Sequence, residues 1–271
     1  MSAPARQEIF SRTSLLLGDD VLSRLWDTRV ILFGVGGVGS WCAEGLIRSG
    51  IGHLTLVDSD RVSVSNVGRQ LMATVPNIGR IKVDALRERL LQINPEADIR
   101  AVQAVYEAAT ADSFDLDAYD YVLDAIDSLR HKMDLIVNAC RSSGSFFSSM
   151  GAALKVDPTR VHVAYFDQVK GCPLGFLLRK NLRRQGRFPE RKFLCVYGDE
   201  VLENRGATAG RERLAGAPDQ GDEEQPGQGW DAAKARINGT AAHITAIFGM
   251  TLSGLVIQDV YKRVTADENK K

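Results

Sequence analysis

A short apolar run followed at once by clustered glycines constrains this fold most. The run occupies residues 29–33 and leads into Gly34, Gly36, Gly37 and Gly39. A continuous apolar run of this length predicts a strand buried on both faces, as in parallel sheets. The glycines permit a tight turn and a close approach of the backbone to phosphate at the start of a helix. The sequence therefore predicts a nucleotide-binding strand, loop and helix.

Strand-like and helix-like patterns alternate through the first 150 residues. The apolar runs predict strands at 29–34, 53–58, 99–105, 121–124 and 145–150. The segments between them predict helices at 38–49, 83–93 and 129–142. Such alternation is typical of a right-handed α/β fold. We therefore predict a Rossmann-like, doubly wound and mostly parallel sheet.

The pattern changes after Gly151. Residues 160–166 predict an exposed strand, 174–184 a basic helix and 191–197 a further strand. Residues 205–230 are rich in Gly, Pro, Asp, Glu and Gln, which predicts a flexible acidic and Gly-rich insert. Residues 240–262 predict an apolar helix packed on the core or on a partner subunit. Its apolar stretch, 244–257, is shorter than the roughly 20 residues of a membrane span, so we expect no membrane contact.

Charge and cysteine content limit how this chain could bind nucleic acid and argue against one kind of metal site. The chain has 34 basic and 34 acidic residues, so any affinity for nucleic acid must come from a local patch. No two of Cys42, Cys140, Cys172 and Cys195 form a Cys-x-x-Cys pair, which argues against a zinc knuckle. The few cysteines and the lack of a signal peptide predict a reduced, cytoplasmic protein.

Polar residues that suit a nucleotide follow the glycine loop. Asp58 comes 19 residues after Gly39, where an acid binds ribose hydroxyls in this fold. Asn66, Arg69 and Lys82 come next, on segments able to fold back over the phosphates. Guanidinium and ammonium groups neutralise the charge that develops in phosphoryl or nucleotidyl transfer. Each cation alone also fits a solvated surface position, whereas the ordered set favours a triphosphate site.

The acidic residues leave alternatives open. Asp60 suits a nucleotide ligand or the cap of a nearby loop. Asp124 and Asp127 follow the fourth strand, at the edge of the sheet where ligands bind. Asp127 is the better Mg²⁺ ligand, the alternative being an N-cap of the helix beginning near Leu129. Asp124 is equally suited to fixing the loop.

The order of these motifs resembles the ThiF/MoeB/HesA family, the adenylating fold of ubiquitin-activating enzymes, over roughly residues 8–170. The motifs are Gly34–Gly39, Asp58-x-Asp60, Asn66-x-x-Arg69-Gln70, Gly79-x-x-Lys82 and Asp124-Ala-Ile-Asp127-Ser128. Further segments are similar to the family's tRNA threonylcarbamoyladenosine dehydratase branch, namely Ser11-Arg-Thr13, Asp127-Ser-Leu-Arg130-x-Lys132, Cys172-Pro-Leu with the following basic residues, and Asn238-Gly-Thr240. Cys172 stands where that branch usually has Asp.

The resemblance implies a role for each site residue. Asp58 binds the ribose, Arg69 and Lys82 contact the phosphates, and Asp127 holds Mg²⁺. Arg12 resembles an arginine that members lend across a homodimer to the neighbouring ATP. The resemblance also allows a monovalent cation and a cysteine desulfurase or sulfur-acceptor system as a partner.

The branch implies an activity on tRNA. ATP adenylates the threonyl carboxylate of N6-threonylcarbamoyladenosine, an internal nucleophile displaces AMP, and water is lost overall. Intramolecular attack has a high effective concentration, so no protein nucleophile is needed. The implied organisation is an ATP-binding adenylation core at 1–170, a basic substrate-facing segment at 171–204, the insert at 205–230 and a C-terminal strand or helix at 231–265.

A local basic patch suits an RNA backbone. Its members in one stretch are Arg179, Lys180, Arg183, Arg184, Arg187, Arg191 and Lys192, opposed only by Glu190. The alternative is a solvated helix face.

Two other functions compete with the dehydratase. Adenylation of a sulfur-carrier or ubiquitin-like protein is disfavoured because relatives of that kind use a cysteine and many carry Cys-x-x-Cys pairs. Cys195 lies in an apolar segment, which favours an inert structural thiol over a reactive one. An NAD-binding or non-catalytic Rossmann module leaves Arg69, Lys82 and Asp127 without a purpose.

Overall fold

The structure is a computed structural model that describes residues 6–206 and 238–268 of the 271. Apart from residues 205 and 206, the predicted insert at 205–230 lies outside the described residues. Residues 231–237 of the predicted C-terminal segment also lie outside them.

Seven strands form one sheet in the order β3-β2-β1-β4-β5-β7-β6. Every neighbouring pair is parallel except β6 and β7, which are antiparallel. This arrangement confirms the predicted α/β fold with a mostly parallel sheet. The strands are β1 (Arg29–Phe33), β2 (His53–Val57), β3 (Asp98–Val102), β4 (Tyr121–Asp124), β5 (Ser145–Ser149), β6 (Val161–Tyr165) and β7 (Leu194–Gly198).

Eight α-helices accompany the sheet in the described part of the chain. They are α1 (Arg6–Ile9), α2 (Ser11–Leu17), α3 (Asp19–Asp27), α4 (Gly37–Arg48), α5 (Lys82–Leu91), α6 (Leu129–Ala139), α7 (Pro173–Arg184) and α8 (Ala242–Glu268). The sequence did not predict α1 to α3. Only two residues of α3, Val21 and Leu25, are buried, so its apolar pattern is short.

Alternate residues of β1 face two different hydrophobic layers. Val30 and Leu32 pack in the layer formed with α4, α5 and α8, whereas Ile31 and Phe33 pack in the layer formed with α6 and α7. Because successive strand residues point to opposite faces, a strand buried on both sides reads as a continuous apolar run. The sheet is therefore doubly wound.

The ends of three strands lie level with one another. Phe33, which ends β1, pairs with Val57 of β2 and with Asp124 of β4. The glycine loop, Asp58 and the loop after Asp124 therefore leave the sheet side by side, at its carboxyl edge.

Helix α8 packs closely on α4. A Cβ atom on Gly45 would lie 2.3 Å from the Ser253 Oγ, and one on Gly249 would lie 2.5 Å from the Val38 carbonyl oxygen. Residues 242–266 form a helix longer than the apolar stretch 244–257, and by length and composition it could cross a membrane. The expectation of no membrane contact stays a prediction. Of its most apolar stretch, 44% is buried inside the protein.

Candidate functional site

The glycine loop joins β1 to α4 with almost no space for side chains. Gly34 has φ +82°, and a Cβ there would lie 2.7 Å from the Ala125 carbonyl oxygen. A Cβ on Gly39 would lie 1.8 Å from the Gly34 carbonyl oxygen. Gly36 precedes α4, whose first amides have no partner within the helix. The loop therefore presents backbone N–H groups and the positive end of a helix dipole to an anion.

Asp58 ties the glycine loop to the end of β2. Its Oδ2 accepts a hydrogen bond from the Val35 amide at 2.8 Å, and its Oδ1 accepts one from the Asp60 amide at 2.9 Å. Burial raises the pKa of Asp58, and the nearby Lys82 ammonium partly opposes that rise. Each carboxylate oxygen can accept a second hydrogen bond, so a ribose hydroxyl remains compatible with these contacts.

Lys82 and Asp60 form an ion pair beside this edge. The Lys82 Nζ lies 2.5 Å from the Asp60 Oδ2, and the Lys82 side chain is only 7% exposed. The Lys82 amide also donates to the Asp60 carbonyl oxygen at 3.0 Å, which fixes the start of α5. The Asp60 carboxylate thus holds the ammonium group that is predicted to contact phosphate.

The 63–70 loop carries two more predicted ligands. The Asn66 Oδ1 accepts from the Ser63 amide at 3.0 Å, as part of a capping box, which commits one end of that amide to the loop. The Arg69 guanidinium donates to the Ser65 carbonyl oxygen at 2.7 Å, and the residue as a whole is half-buried. The Trp41 indole, at 3.3 Å, and the Thr245 hydroxyl, at 3.2 Å, both donate to the Arg69 carbonyl oxygen. These bonds anchor the backbone from which Arg69 projects.

Two residues at this edge were not among the predicted site residues. The Gln70 side chain is buried next to Gly36, and its Oε1 has no hydrogen-bond partner among the described residues. Gln70 belongs to the Asn66-x-x-Arg69-Gln70 motif, so the sequence contained a signal for its place in the site. Thr245 of α8 lies against Gly37, where an added Cβ would come within 2.9 Å of its methyl group. No local pattern could have revealed that contact, since 208 positions separate the two residues.

A buried ion pair fixes the loop that carries Asp127. The Lys132 Nζ lies 2.7 Å from the Asp124 Oδ2, and both side chains are fully buried. Lys132 also donates to the Ile126 carbonyl oxygen at 2.9 Å, while the Asp124 Oδ1 accepts from the Ile126 amide at 3.0 Å. The Ser148 hydroxyl donates to the same carboxylate at 2.6 Å. Asp124 therefore takes the loop-fixing role that the sequence left open.

Asp127 itself is exposed at the carboxyl edge of the sheet. The residue at the N-cap position of α6 is Ser128 and not Asp127, which is the residue before it.

Arg12 lies on α2, away from the glycine loop. It is exposed and makes no hydrogen bond or ion pair with any residue in 6–206 or 238–268. Its predicted role across a dimer stays a prediction.

The predicted basic patch divides into two groups. Arg179 donates to the Phe166 carbonyl oxygen at 2.9 Å, Arg187 pairs with Asp134 at 2.7 Å, and Arg191 donates to the Ala139 carbonyl oxygen. These arginines hold α7 and the chain after it against the fold. Lys192 is also paired, with its Nζ 3.7 Å from the Asp167 carboxylate. The exposed group, which makes no ion pair with a described residue, comprises Lys180, Arg183 and Arg184.

All four cysteines are free and buried. Burial raises the pKa of Cys195 well above its usual range, and it raises the pKa of Cys140 to about 11. Neither thiol forms a thiolate near neutral pH. The inert alternative for Cys195 is therefore the one that the structure supports.

The edge fits a nucleoside triphosphate. Side chains are excluded from the loop at Gly34 and Gly39, the Gln70 amide nitrogen lies beside Gly36, and cations stand at Arg69 and Lys82. Among the described residues no three His, Cys, Asp or Glu side chains cluster as a metal site. Mg²⁺ commonly uses one or two carboxylates together with substrate phosphates, so a single exposed Asp127 fits that ion.

Comparison with known proteins agrees with this geometry. A model of the ThiF family matches residues 10–271. Over 177 residues the chain is 40% identical to the tRNA threonylcarbamoyladenosine dehydratase of Bacillus subtilis, covering 65% of this chain and 70% of that protein. It is 37% identical over 179 residues to the Escherichia coli enzyme of the same name, covering 66% of this chain and 67% of that protein.

A solved structure is similar over the full length. The crystal structure of the Escherichia coli tRNA N6-threonylcarbamoyladenosine dehydratase in complex with ATP aligns with a TM-score of 0.78 and 28% identity. The alignment covers 100% of this chain and 99% of that one.

Proposed function

Because this chain belongs to the ThiF family, we infer that it is an ATP-dependent tRNA threonylcarbamoyladenosine dehydratase. It adenylates the threonyl carboxylate of N6-threonylcarbamoyladenosine in tRNA and then closes that group into a ring. The observation that carries this function is the full-length likeness to an enzyme of that name in complex with ATP, at 28% identity.

The first step is nucleotidyl transfer. A threonyl carboxylate oxygen attacks the α-phosphorus of ATP, and the bond to pyrophosphate breaks. We assign the loop Gly34, Gly36, Gly37 and Gly39 to the phosphates, through the amides at the start of α4. Gly34 shapes the turn, since its own amide donates to the Val57 carbonyl oxygen at 2.8 Å. We assign Asp58 to the ribose, supported by its place at the end of β2 beside Val35.

Charge neutralisation falls to Arg69 and Lys82, and to a Mg²⁺ ion that Asp127 would hold. Arg69 is half-buried, and its backbone carbonyl oxygen accepts hydrogen bonds from Trp41 and Thr245. Lys82 is held by Asp60 until phosphate oxygens compete for its ammonium group. We assign Mg²⁺ to Asp127, with the buried Lys132–Asp124 pair keeping its loop in place. Bound there, Mg²⁺ would neutralise phosphate oxygens.

Ring closure requires no protein nucleophile. An internal nitrogen or oxygen of the activated group attacks the carbonyl carbon, and AMP leaves with the former carboxylate oxygen. Overall, ATP is converted to AMP and pyrophosphate, and the nucleoside loses the elements of one water molecule. The four cysteines are buried, and burial raises the pKa of Cys195 well above its usual range. Both facts are consistent with a reaction without a thioester and disfavour the sulfur-carrier alternative.

We further propose a homodimer in which Arg12 reaches the neighbouring ATP. The support is an exposed apolar face: Leu15 and Leu16 of α2 are 88% and 80% exposed. Leu16 borders a groove between α2, α4 and α8 that also includes Met250 and Tyr261. A second copy covering this face would bring its own α2, and hence Arg12, to the interface.

The remaining assignments are also proposals. The tRNA contacts fall to the segment 171–204, where Lys180, Arg183 and Arg184 are exposed. Since β7 of that segment lies between β5 and β6, the division at residue 170 concerns function and not independent folding. A cytoplasmic location and help from a cysteine desulfurase or sulfur-acceptor system follow from the family alone.

One assay tests the function. The protein is incubated with ATP, Mg²⁺ and tRNA bearing the threonylcarbamoyl group, and AMP and the nucleoside mass are measured. We expect AMP release that depends on the modified tRNA, together with loss of the mass of one water. Unmodified tRNA is the matched control. AMP release that instead requires a ubiquitin-like carrier protein would overturn the proposal.

A further inference from the structure

Two phenylalanines of this chain are exposed, and both belong to the α7 region. Of the ten phenylalanines, all within the described residues, eight are at most 8% exposed. Phe176 and Phe188 are 60% and 59% exposed. Water disfavours such large apolar rings on a surface, so a pair of them beside one helix requires an explanation other than chance packing.

The exposed cations of α7 share a face with Phe176. Lys180 and Arg183 follow it at the fourth and seventh positions, which places all three on one side of a helix. The opposite side carries Leu174, Leu178 and Leu182, which are buried in the layer beneath the sheet. The exposed face is therefore a stripe of one aromatic ring followed by positive charges.

Helix α7 runs away from the nucleotide edge. At its start, a Cβ on Gly175 would lie 3.6 Å from the Met150 sulfur, just past the carboxyl end of β5. After its end, Arg187 pairs with Asp134 in the middle of α6. Phe176 therefore lies at the end of the stripe nearer the glycine loop, with the cations progressively farther away. Twelve residues of helix span about 18 Å.

Aromatic rings among unpaired cations have the chemistry that binds unpaired nucleotides. Bases stack on aromatic side chains, while lysine and arginine contact the phosphates that connect them. A purely apolar protein partner would leave Lys180 and Arg183 desolvated without counter-charges. An acidic peptide would leave the exposed ring without a stacking partner.

We propose that Phe176 is a stacking platform for an unpaired base of the substrate tRNA next to the nucleotide that is adenylated. In this arrangement Lys180 and Arg183 hold the backbone that leads away from the site, and Phe188 contacts the RNA farther along. This inference rests on the proposed function and adds to it a residue that recognises the single-stranded part of the substrate.

The test compares Phe176→Leu with Phe176→Trp in the full-length protein. Leucine keeps the apolar surface but removes the π-face, whereas tryptophan keeps the stacking face. Binding is measured with a fluorescent anticodon stem-loop that carries N6-threonylcarbamoyladenosine. We expect Phe176→Leu to weaken binding roughly 5- to 150-fold, the equivalent of about 1–3 kcal/mol of stacking, and Phe176→Trp to retain it. The Kd for ATP is expected to stay unchanged in both.

The salt dependence separates stacking from charge. Lys180→Ala with Arg183→Ala removes two phosphate contacts and is expected to reduce the slope of log K against log salt by about 1.4 on single-stranded RNA. Phe176→Leu should leave that slope as it is. The matched control is Arg100→Ala, on β3 at the opposite edge of the sheet, which is expected to change neither quantity.

Three outcomes overturn the proposal. Unchanged RNA binding by Phe176→Leu, or equal loss in the Leu and Trp variants, excludes stacking. A change in oligomeric mass by light scattering without a change in RNA binding assigns this face to a protein contact. A third outcome is that the wild type makes AMP from the modified tRNA and Phe176→Leu has the same KM for that tRNA. This result would reject the proposed surface and leave the dehydratase function standing. No tRNA-dependent AMP in the wild type rejects the function itself.

Discussion

The ammonium nitrogen of Lys132 lies 2.7 Å from the Asp124 carboxylate, and neither side chain is exposed to solvent. Removing one member of such a pair leaves an uncompensated buried charge, at a cost of about 3–5 kcal/mol. We expect Lys132→Met to lower the free energy of unfolding by that amount in urea titrations. Lys262→Met, at an exposed position of α8, should change it by less than about 0.5 kcal/mol.

Adding Asp124→Asn to Lys132→Met should restore much of the lost stability, because the charge left behind disappears. A double variant as unstable as Lys132→Met alone would contradict the pairing as the source of the penalty.

The contact between Gly37 and Thr245 gives a second prediction. Gly37→Ala places a methyl group 2.9 Å from the Thr245 methyl, and overpacking of this kind costs about 1–3 kcal/mol. We expect a lower melting temperature and weaker ATP binding. Thr245→Ser removes the clashing methyl but keeps the hydroxyl that bonds the Arg69 carbonyl oxygen, so the double variant should regain both. Failure of the serine to rescue either property would mean that Gly37 is needed for another reason.

Subunit mixing tests the proposed role of Arg12. Arg12→Ala and Asp127→Ala homodimers are each expected to be inactive. If Arg12 acts on the neighbouring site, a mixed dimer has one site with neither change, and activity should approach about half of the wild-type value per dimer. Verified mixed dimers without any AMP formation would contradict sharing. Circular dichroism of each variant controls for folding.

The buried thiols predict resistance to alkylation. Thiolate is the reactive form, and burial raises the pKa of Cys195, Cys140 and Cys42 above their ordinary values. We therefore expect iodoacetamide at pH 7.5, a value about one unit below a free thiol's pKa, to label no cysteine in the native protein and all four after unfolding, as counted by mass spectrometry. Cys195→Ala should keep its tRNA-dependent AMP formation. Rapid labelling of Cys195 with loss of activity would instead favour a sulfur-transfer role.

Acid is expected to loosen the segment that follows β7. The Asp157 and Val156 amides donate to the Glu200 carboxylate, and these bonds hold the pKa of Glu200 below its ordinary value. A carboxyl group with a lowered folded-state pKa stabilises the fold fully above its unfolded value, about 4.3. That stabilisation is lost as the pH falls through the folded-state value.

Hydrogen exchange measures this directly. Protection of the Val156 and Asp157 amides, corrected for intrinsic rates, should fall below about pH 4 in the wild type. In Glu200→Gln the protection of these two amides should be lower throughout, and it should not fall further below pH 4, because glutamine does not titrate. The same acid dependence in both proteins would assign the effect to another carboxylate.

Much of the sheet could be predicted because each central strand carries its own signal. Val30 to Phe33 are buried on both faces, so the strand reads as an unbroken apolar run. The order of Asp58, Arg69, Lys82 and Asp127 could likewise be read in advance, since ligands of this fold follow the strand ends. Their individual contacts to ATP remain predictions.

The contacts that could not be predicted join residues far apart in sequence or bury a charged side chain. Lys132 lies in a helix segment where a charged residue normally indicates solvent, yet it is fully buried because Asp124 and the Ile126 carbonyl oxygen pair with it. Thr245 bonds the Arg69 carbonyl oxygen across 176 positions of sequence. Helices α1 to α3 escaped prediction because their apolar periodicity is too short to stand out.

The packing of α8 against the glycine loop has a consequence for synthesis of the chain. Domains emerge from the ribosome N-terminus first, at about 5–20 residues per second. The Gly37 loop is made early, but Thr245, Phe248 and Leu252 of α8, which lie over α4, follow some 200 residues later. For roughly 10–40 s of translation at those rates the nascent nucleotide site lacks its covering helix, and apolar surface on α4 is open to chaperones. A ribosome stalled before residue 240 would therefore hold a chain that has its phosphate loop but lacks the Thr245 contacts with Gly37 and with the Arg69 carbonyl oxygen.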